Sequence, residues 1–539
     1  MALGLDAVII ADIGQDQDGI ARPGTLVYPR LGLNGKAATL QNILGTLKDP
    51  GIDLGPIEDT SKMNMWFAPK YNGIFLLSHL LKHGFKVDLV NKYYAEKERF
   101  RKLLDENPKV VVISTTFIHR KESLTRLVKD IRSLAPDILI IAGGQFVYNS
   151  YIFRQRSREK DYVTGAAHED FLFFGYREPS VDLYIISRQG EEILCDALRR
   201  IKAGDSLDLL PNTARPEGDV YSFTTFTDEV KHKGKVHVDW NMLPEYVFKS
   251  GVIPMQASGG CFHKCAFCTF RKDSRMIFIK PVESLIDEMK AVAKRGIRYV
   301  RFIDDNFRLE HRDLNSFCEQ AVAEGTPIQW MTMIKLSALE NTDLDLLRRA
   351  GCYEVALGLE STDPQVLRNM NKKAEPEKYG AVIKRLLAAG INCSGYFLFG
   401  FPGETHDTAS RTLEFIRSVQ HPELPGILSW NMYTLVMAPL SPVYGPEMRK
   451  KHGITGYMDE WKHNTMDRQQ AYDFVQKAYY ALNDSGPIFR GDSLDLFSRL
   501  DPFKRKEFFI TRYRLAKKDV KGRLRDGEAI GEFRKILAS

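Results

Sequence analysis

Three cysteines fall within eight residues, Cys261-Phe-His-Lys-Cys265-Ala-Phe-Cys268, a C-x3-C-x2-C spacing led by Gly259-Gly260. Thiolates that crowded repel one another unless a metal neutralises them, and thiolate sets suit zinc or iron–sulfur. A structural zinc site wants four protein ligands. The one candidate for the fourth is His263, wedged between two of the cysteines. A cubane held by three cysteines would instead leave one iron open to a small molecule. The remaining cysteines, Cys195, Cys318, Cys352 and Cys393, are scattered singly and read as ordinary core or near-surface residues. No acid–base triad is apparent. Other polar or glycine-rich groups stand at the ends of apolar runs: Ser114-Thr115-Thr116, Gly143-Gly144-Gln145, Asp304-Asp305-Asn306, Glu360-Ser361 and Gly400-Phe-Pro-Gly403-Glu404. Taken singly, each glycine is equally a turn and each acid equally a helix cap.

These groups need elements to hold them. In the first 245 residues, apolar β-branched runs alternate with amphipathic stretches. Periodicity predicts strands at Leu5–Ala11, Lys86–Val90, Val110–Ser114 and Ile138–Ala142, and helices at Asn72–His83, Lys97–Glu106 and Lys121–Leu134. Such a pattern implies a parallel sheet covered on both faces, with ligands beyond the carboxyl ends of its strands. A second alternation begins near Val252. Strands are expected at Ile253–Ala257, Tyr299–Ile303, Ile328–Met333, Glu354–Gly358 and Gly395–Gly400, with helices at about 282–295, 311–324, 342–350, 375–389 and 407–419. Evenly spaced βα units predict a closed or partly closed barrel whose chemistry sits at the strand carboxyl ends.

The fold class is therefore α/β. A Rossmann-like domain is expected at 1–203, a connector at 204–250, a partial (β/α)6 TIM-type barrel at 251–443 and a small helical domain at 444–539. Residues 14–70 are far longer than the ~2–6 residues usual for a βα loop. They are expected either to cap a ligand site or to lack order.

The chain has 539 residues, 44% hydrophobic and 27% charged, enough for several packed domains and unlike collagen or a disulfide-rich mini-fold. No apolar run reaches the ~18–20 residues of a membrane span, and the N-terminal residues lack a basic leader pattern. A cytoplasmic protein is expected. The net charge of +7 equals that of residues 504–539 alone, where twelve Lys/Arg face five Asp/Glu. This tail is read as a solvated helical face, with an anionic substrate or carrier partner, or nucleic acid, as the alternatives. Aromatics such as Phe474, Tyr479, Phe503, Phe508 and Tyr513 predict helices packed on the barrel.

With an aromatic residue before its last cysteine, the cysteine loop resembles the signature of the radical S-adenosylmethionine (SAM) enzymes. Asp304–Asn306, Glu360-Ser361 and the segment from Gly395 to Glu404 follow in that family's order. The resemblance implies a [4Fe–4S] cluster on Cys261, Cys265 and Cys268 whose open iron chelates SAM. It also implies polar contacts to SAM from Asp304, Asn306, Glu360 and Ser361, and close backbone approach to its adenine at Gly400 and Gly403. Residues 70–200 resemble the cobalamin (B12)-binding domain of one radical SAM subclass. Ser114, Thr115, Thr116, Gly143, Gly144 and Gln145 would then wrap the cobalamin nucleotide tail. The D-x-H-x-x-G motif of B12 mutases is absent, and His79, His83 and His119 lack its context. A Rossmann-like domain that has lost cobalamin is the alternative.

Together the resemblances imply a cobalamin-dependent radical SAM methyltransferase. It would methylate an unactivated carbon of a natural product, peptide or other metabolite with SAM and methylcobalamin. A non-methylating radical rearrangement, cyclisation or oxidation is the alternative, and a binding scaffold with a structural cluster is the third reading. An electron donor such as flavodoxin or ferredoxin is the expected partner. Neither a membrane nor nucleic acid is.

Overall fold

A computed structural model describes residues 4–14, 28–47, 52, 54–55, 63–175, 180–227, 237–269, 278–307, 311–519 and 524–538. The chain divides into two units that do not follow chain order. The first takes in residues 1–22, 69–247 and 438–448, and the second 23–68, 248–437 and 449–539.

The first unit is built on β1 (Ala7–Ile10), β2 (Val87–Val90), β3 (Val110–Ser114), β4 (Leu139–Gly143), β5 (Leu183–Ile185), β6 (Thr213–Glu217) and β7 (Val220–Phe223). They form one sheet in the order β2-β1-β3-β4-β5-β6-β7, parallel through β5 and antiparallel beyond it. Every residue of β1 is fully buried, as a strand covered on both faces requires. Helices α1 (Tyr71–Lys82), α2 (Lys97–Leu104), α3 (Lys121–Leu134), α4 (Gln145–Arg156) and α5 (Glu191–Ala203) accompany them. Strand order reverses between β1 and β3, which opens a crevice at their carboxyl ends. A Cβ on Gly73 would stand 2.5 Å from that of Ala11, so glycine lets the first turn of α1 lie close to the end of β1. Residues 213–223, within the stretch read as a connector, supply β6 and β7 to the same sheet.

The second unit has β8 (Val252–Met255), β9 (Tyr299–Phe302), β10 (Gln329–Met333), β11 (Cys352–Glu360), β12 (Asn392–Phe399), β13 (Leu428–Thr434) and the two-residue β14 (Gly486–Pro487). All pair in parallel and in that order, and β8 and β14 stay at the two edges, so the barrel is partial. Helices α6 (Val282–Lys294), α7 (His311–Ala323), α8 (Tyr379–Ala388) and α9 (His406–Ser418) cover its outside. Trp330 anchors that outer layer among Phe302, Phe307 and Phe317, with ring centroids 5.6–6.1 Å away.

Within residues 14–70, the described part around residues 28–47 packs against the last helices of the chain. Helix Leu40–Leu47 buries Leu40, Ile43, Leu44 and Leu47 against Leu496, Phe508, Phe533 and Leu537 of α10 (Leu494–Arg499), α11 (Pro502–Lys518) and α12 (Asp526–Ala538). Tyr28 stacks on Tyr479 at 4.9 Å and donates its hydroxyl to the Met432 carbonyl at 2.9 Å.

The basic tail is only partly a solvated face. Lys506 is buried and donates to the carbonyls of His421 and Leu424. Arg512 is buried too, paired with Asp492 at 2.7 Å and lying 3.8 Å over the Phe489 ring. Lys517 reaches the Leu482 carbonyl, and Arg514 pairs with Asp484. Lys518, Arg534 and Lys535 are exposed, as is Phe503, which was expected to pack, while Lys521 and Arg523 lie outside the described residues.

Phe533, fully buried 4.9 Å from Phe508, holds this junction between the N-terminal segment and the last helices. Phe533→Ala should cost about 3–5 kcal/mol. Urea denaturation followed by tryptophan fluorescence reads the loss, and an unchanged midpoint would mean that the junction contributes little.

Candidate functional site

The cysteine loop leaves β8 through Ser258–Gly259, which pairs antiparallel with Phe278–Ile279, and its described residues 261–269 form no helix or strand. Its entry is pinned by Asp304, just past β9. The Asp304 carboxylate accepts from the Ala257 N–H at 3.1 Å, the Ser258 N–H and the Ser258 hydroxyl at 2.6 Å. Burial pushes its pKa up to about 6, against the pull of those hydrogen bonds. The far side of the loop is tied to the end of helix Pro364–Asn369, which follows β11. The Ala266 N–H donates to the Met370 carbonyl at 2.7 Å, and Asn371 Nδ2 donates to the Lys264 carbonyl at 2.8 Å.

Cys261, Cys265 and Cys268 are half-buried cysteines outside any disulfide, held between these two anchors. Three soft donors on one partly open loop fit a cubane with an accessible fourth iron. Burial raises the Cys265 pKa, and Lys372 opposes that rise. A metal would have to take up the thiolate charge.

Glu360 closes β11 beside this loop in a left-handed conformation, φ +64°, a cost that a non-glycine residue pays only where its surroundings insist. Its carboxylate pairs with Lys372 at 3.0 Å, and both side chains are only partly open to solvent. Glu360 and Lys372 are thus the charged pair nearest Cys265. Ser361 is fully buried and accepts from the Asp363 N–H at 3.1 Å. Asp363 itself caps the next helix, at Gln365 and Val366. The structure therefore places Ser361 and Asp304 as positioning residues with their oxygens in use, and leaves Asn306 half-exposed at the turn.

The Gly400–Gly403 segment is held from behind. Gly400 (φ +83°) lies against Trp461 and Ala471, where a Cβ would stand 2.5 and 2.9 Å from their nearest atoms. Its N–H donates to Glu404, its carbonyl lies 3.0 Å from His463 Nε2, and the Gly403 N–H donates to Thr465. The packing reason for Gly400 lies some 60–70 residues further along the chain, whereas a Cβ on Gly403 would meet Asn369. Glu404 is fully buried with its second oxygen unpartnered, and burial pushes its pKa up to about 8.

Alternate residues of a strand face opposite sides. Phe302 faces the outer helices, so Arg301 and Ile303 face the barrel interior. Arg301 is reached by solvent yet walled in on most sides, as befits a cavity-lining group, and that enclosure lowers its pKa. Among the described residues it makes no hydrogen bond or ion pair. Tyr396 and Tyr433 stack nearby at 6.1 Å, and Asn431 donates to the Tyr433 hydroxyl. A cavity of about 100 Å³ lies instead at the amino ends of the strands, lined by Tyr299, Gln329, Glu354, Asn392 and Arg490. There Arg490 grips Glu354 with two hydrogen bonds of 2.5 and 2.6 Å. This cavity is remote from the cysteines, and its bonded charges read as a plug.

In the first unit the crevice between β1 and β3 collects the predicted groups. Asn72, at the start of α1, donates to the Ala11 carbonyl (2.8 Å) and to Ser114 Oγ (2.7 Å), while its own amide oxygen is buried without a partner. Ser114 Oγ lies 3.1 Å from Thr116 Oγ1, and Thr115 Oγ1 donates to the Gly143 carbonyl at 2.8 Å. Gly144 has φ +106°, and a Cβ there would meet the Thr115 N–H at 3.2 Å. Gln145 is exposed, bonded to Asn149. An orphaned amide oxygen beside a glycine hollow fits a large polar ligand at the switch point. Sequence reasoning missed Asn72, Lys372 and Arg301. Only Arg301 had a visible signal, a charge within the apolar run YVRFI.

Residues 255–416 match the radical SAM superfamily, and residues 71–171 match the B12-binding domain. Among curated proteins, the anaerobic magnesium-protoporphyrin IX monomethyl ester cyclase of Cereibacter sphaeroides is 23% identical over 404 residues, 71% of this chain and 61% of its own length. An uncharacterized methyltransferase of Pyrococcus horikoshii is 23% identical over 310 residues, 54% of this chain and 66% of its own. The bacteriochlorophyllide d C-12(1)-methyltransferase of Chlorobaculum tepidum is 31% identical over 176 residues, 31% of this chain and 38% of its own. The chain thus spans less than two thirds of these relatives. The fold is that of the radical SAM methyltransferase TsrM from Kitasatospora setae (TM-score 0.58, 14% identity, 99% of this chain and 98% of that one). It is also that of the cobalamin-dependent SAM radical enzyme OxsB (TM-score 0.57, 13% identity, 99% and 83%).

Two outcomes follow from this geometry. Glu404 ionises near its ordinary value of 4.5 when unfolded and near 8 when folded. Between those values the folded chain holds the extra proton, so this group's contribution to stability falls as pH rises. Glu404→Gln should flatten the decline of melting temperature between pH 5 and pH 8, and an unaltered slope would mean that Glu404 is ionised in the fold. Gly144→Val should abolish corrin absorbance in reconstituted protein while iron content stays that of the parent. Retained corrin would move the cradle elsewhere.

Proposed function

The chain belongs to the radical SAM enzymes that carry a B12-binding domain, and from that premise we propose that it is a C-methyltransferase acting on a metabolite with an anionic group. A [4Fe–4S] cluster, SAM and cobalamin supply the one-electron and methyl-transfer chemistry that no side chain can. The chain's own residues bind and orient. Cys261, Cys265 and Cys268 hold the cluster, and Asp304 with the Met370–Asn371 turn sets their loop. Glu360 and Lys372, an acid and a base beside Cys265, are suited to the amino and carboxylate groups of SAM. The strand-end cradle at Asn72, Thr115 and Gly144 supports a bound corrin, the methyl carrier that this reading needs and that the second reading below shares. Methyltransferases among the relatives support the methylation reading.

Arg301 supports the substrate class. A solvent-reached guanidinium facing the barrel interior, with no hydrogen bond or ion pair among the described residues, invites a carboxylate or phosphate-like group, which would form a charge-assisted pair there. The stacked Tyr396 and Tyr433 offer a planar apolar wall beside it. A second reading, a non-methylating cyclisation or oxidation, draws on the relative with the longest match quoted above, a cyclase.

SAM bearing a deuterated methyl group tests the choice. Reduced, reconstituted protein should place the labelled methyl on the extracted corrin. Formation of 5′-deoxyadenosine with no labelled corrin would favour the second reading. Once a +14 Da product is in hand, Arg301→Met should raise KM roughly ten- to hundredfold, the effect of losing a charged hydrogen-bond partner worth ~1.5–3 kcal/mol. Iron and corrin content should not change, and an unaltered KM would remove Arg301 from substrate binding.

A further inference from the structure

Two helices of the first unit, more than a hundred residues apart in sequence, bring four metal-ligating side chains to one point. His79 lies on α1 and His83, one turn on, is its C-cap, and Glu192 and Cys195 lie three residues apart on α5. One donor atom from each stands within 4.8 Å of all the others. His79 Nε2 is 3.4 Å from Glu192 Oε1, and the two imidazole rings are 4.5 Å apart. His83 Nδ1 lies 2.9 Å from the His79 carbonyl, a contact that assigns the proton to Nδ1 and leaves the Nε2 lone pair for a ligand. Such a backbone acceptor commonly fixes the orientation of a metal-bound histidine.

Cys195, scattered among apolar residues in the sequence, is therefore not isolated in the fold. Its fully buried thiol, which burial pushes up to about 12, faces three other donors. Plain helix packing accounts for a buried cysteine. It gives no reason for two histidines and a glutamate to converge on that sulfur from partly or fully exposed positions.

We propose that His79, His83, Glu192 and Cys195 form a closed, four-coordinate zinc site that clamps α1 to α5. Two imidazoles, a thiolate and a carboxylate are a donor set for zinc rather than for calcium or magnesium, and four protein ligands are the count of a structural site. The proton leaves Cys195 for solvent as zinc binds, and no electron moves. The clamp acts on the helix whose first turn carries Asn72, which braces the Ala11 and Ser114 strand ends. It is separate from the iron–sulfur loop.

The test uses the full-length chain without a histidine tag, desalted and analysed for zinc and iron by mass spectrometry. Zinc should be present at about one per chain in the parent protein. It should remain when Cys261, Cys265 and Cys268 are all replaced by Ala. His83→Ala combined with Cys195→Ser should lose the zinc and keep the iron of the parent. Because a buried serine could disturb folding, His83→Gln, at an exposed position, should separately weaken zinc retention against a chromophoric chelator at least tenfold. Zinc absent from the parent, or retained equally by the double variant and by His83→Gln, overturns the proposal.

Discussion

Three cysteines share a loop whose described residues 261–269 form no helix or strand, and one buried carboxylate fixes its root. Asp304 accepts three hydrogen bonds from Ala257 and Ser258, the residues through which the chain passes from β8 into the cysteine loop. A carboxylate buried at that depth is held only by its hydrogen bonds, and any change that removes them leaves a costly orphan. The loop is therefore fixed at its root by Asp304, just past β9, and at its middle by the end of helix Pro364–Asn369. Glu360 and Lys372 reach the cluster position from the residues flanking that helix. The strained backbone of Glu360 belongs to this arrangement, since it ends the strand and re-aims the carboxylate in a single step.

The second unit spends much of its sequence on holding the barrel rather than on reacting. The N-terminal segment and the last helices share one apolar cluster, so the two regions of the chain support each other. Basic residues of the tail are drawn into that task. Lys506 gathers carbonyl oxygens, and Arg512 joins Asp492 to an aromatic ring. A positive formal charge in sequence thus became internal hydrogen bonding as much as a surface field.

Much of the fold was legible because parallel strands buried on both faces must be continuous apolar runs, as Val110–Ser114 and Leu139–Gly143 are. Strand β13 was not anticipated. Its sequence, LSWNMYT, alternates polar and apolar residues because one side faces the barrel interior. The cysteines were legible by spacing, and the switch-point residues by their place after apolar runs. Roles were harder to read. Gly400 was read as admitting a ligand; Trp461 also lies against it, and nothing local to Gly400 reveals that. Ser361 and Asp304 were read as SAM contacts, and the fold shows in addition that their oxygens accept from neighbouring N–H groups. Lys372 and Asn72 act through partners that only the tertiary fold supplies.

The central claim is that the three anchored cysteines hold one cubane whose open iron receives SAM beside Glu360 and Lys372. Electron paramagnetic resonance of the anaerobically reconstituted, reduced protein tests it most directly, because it needs no knowledge of the substrate. The reduced protein should give the signal of a [4Fe–4S] cluster, and adding SAM should shift its g values. A cluster signal that SAM leaves unchanged, in protein shown to hold full iron, would contradict the claim.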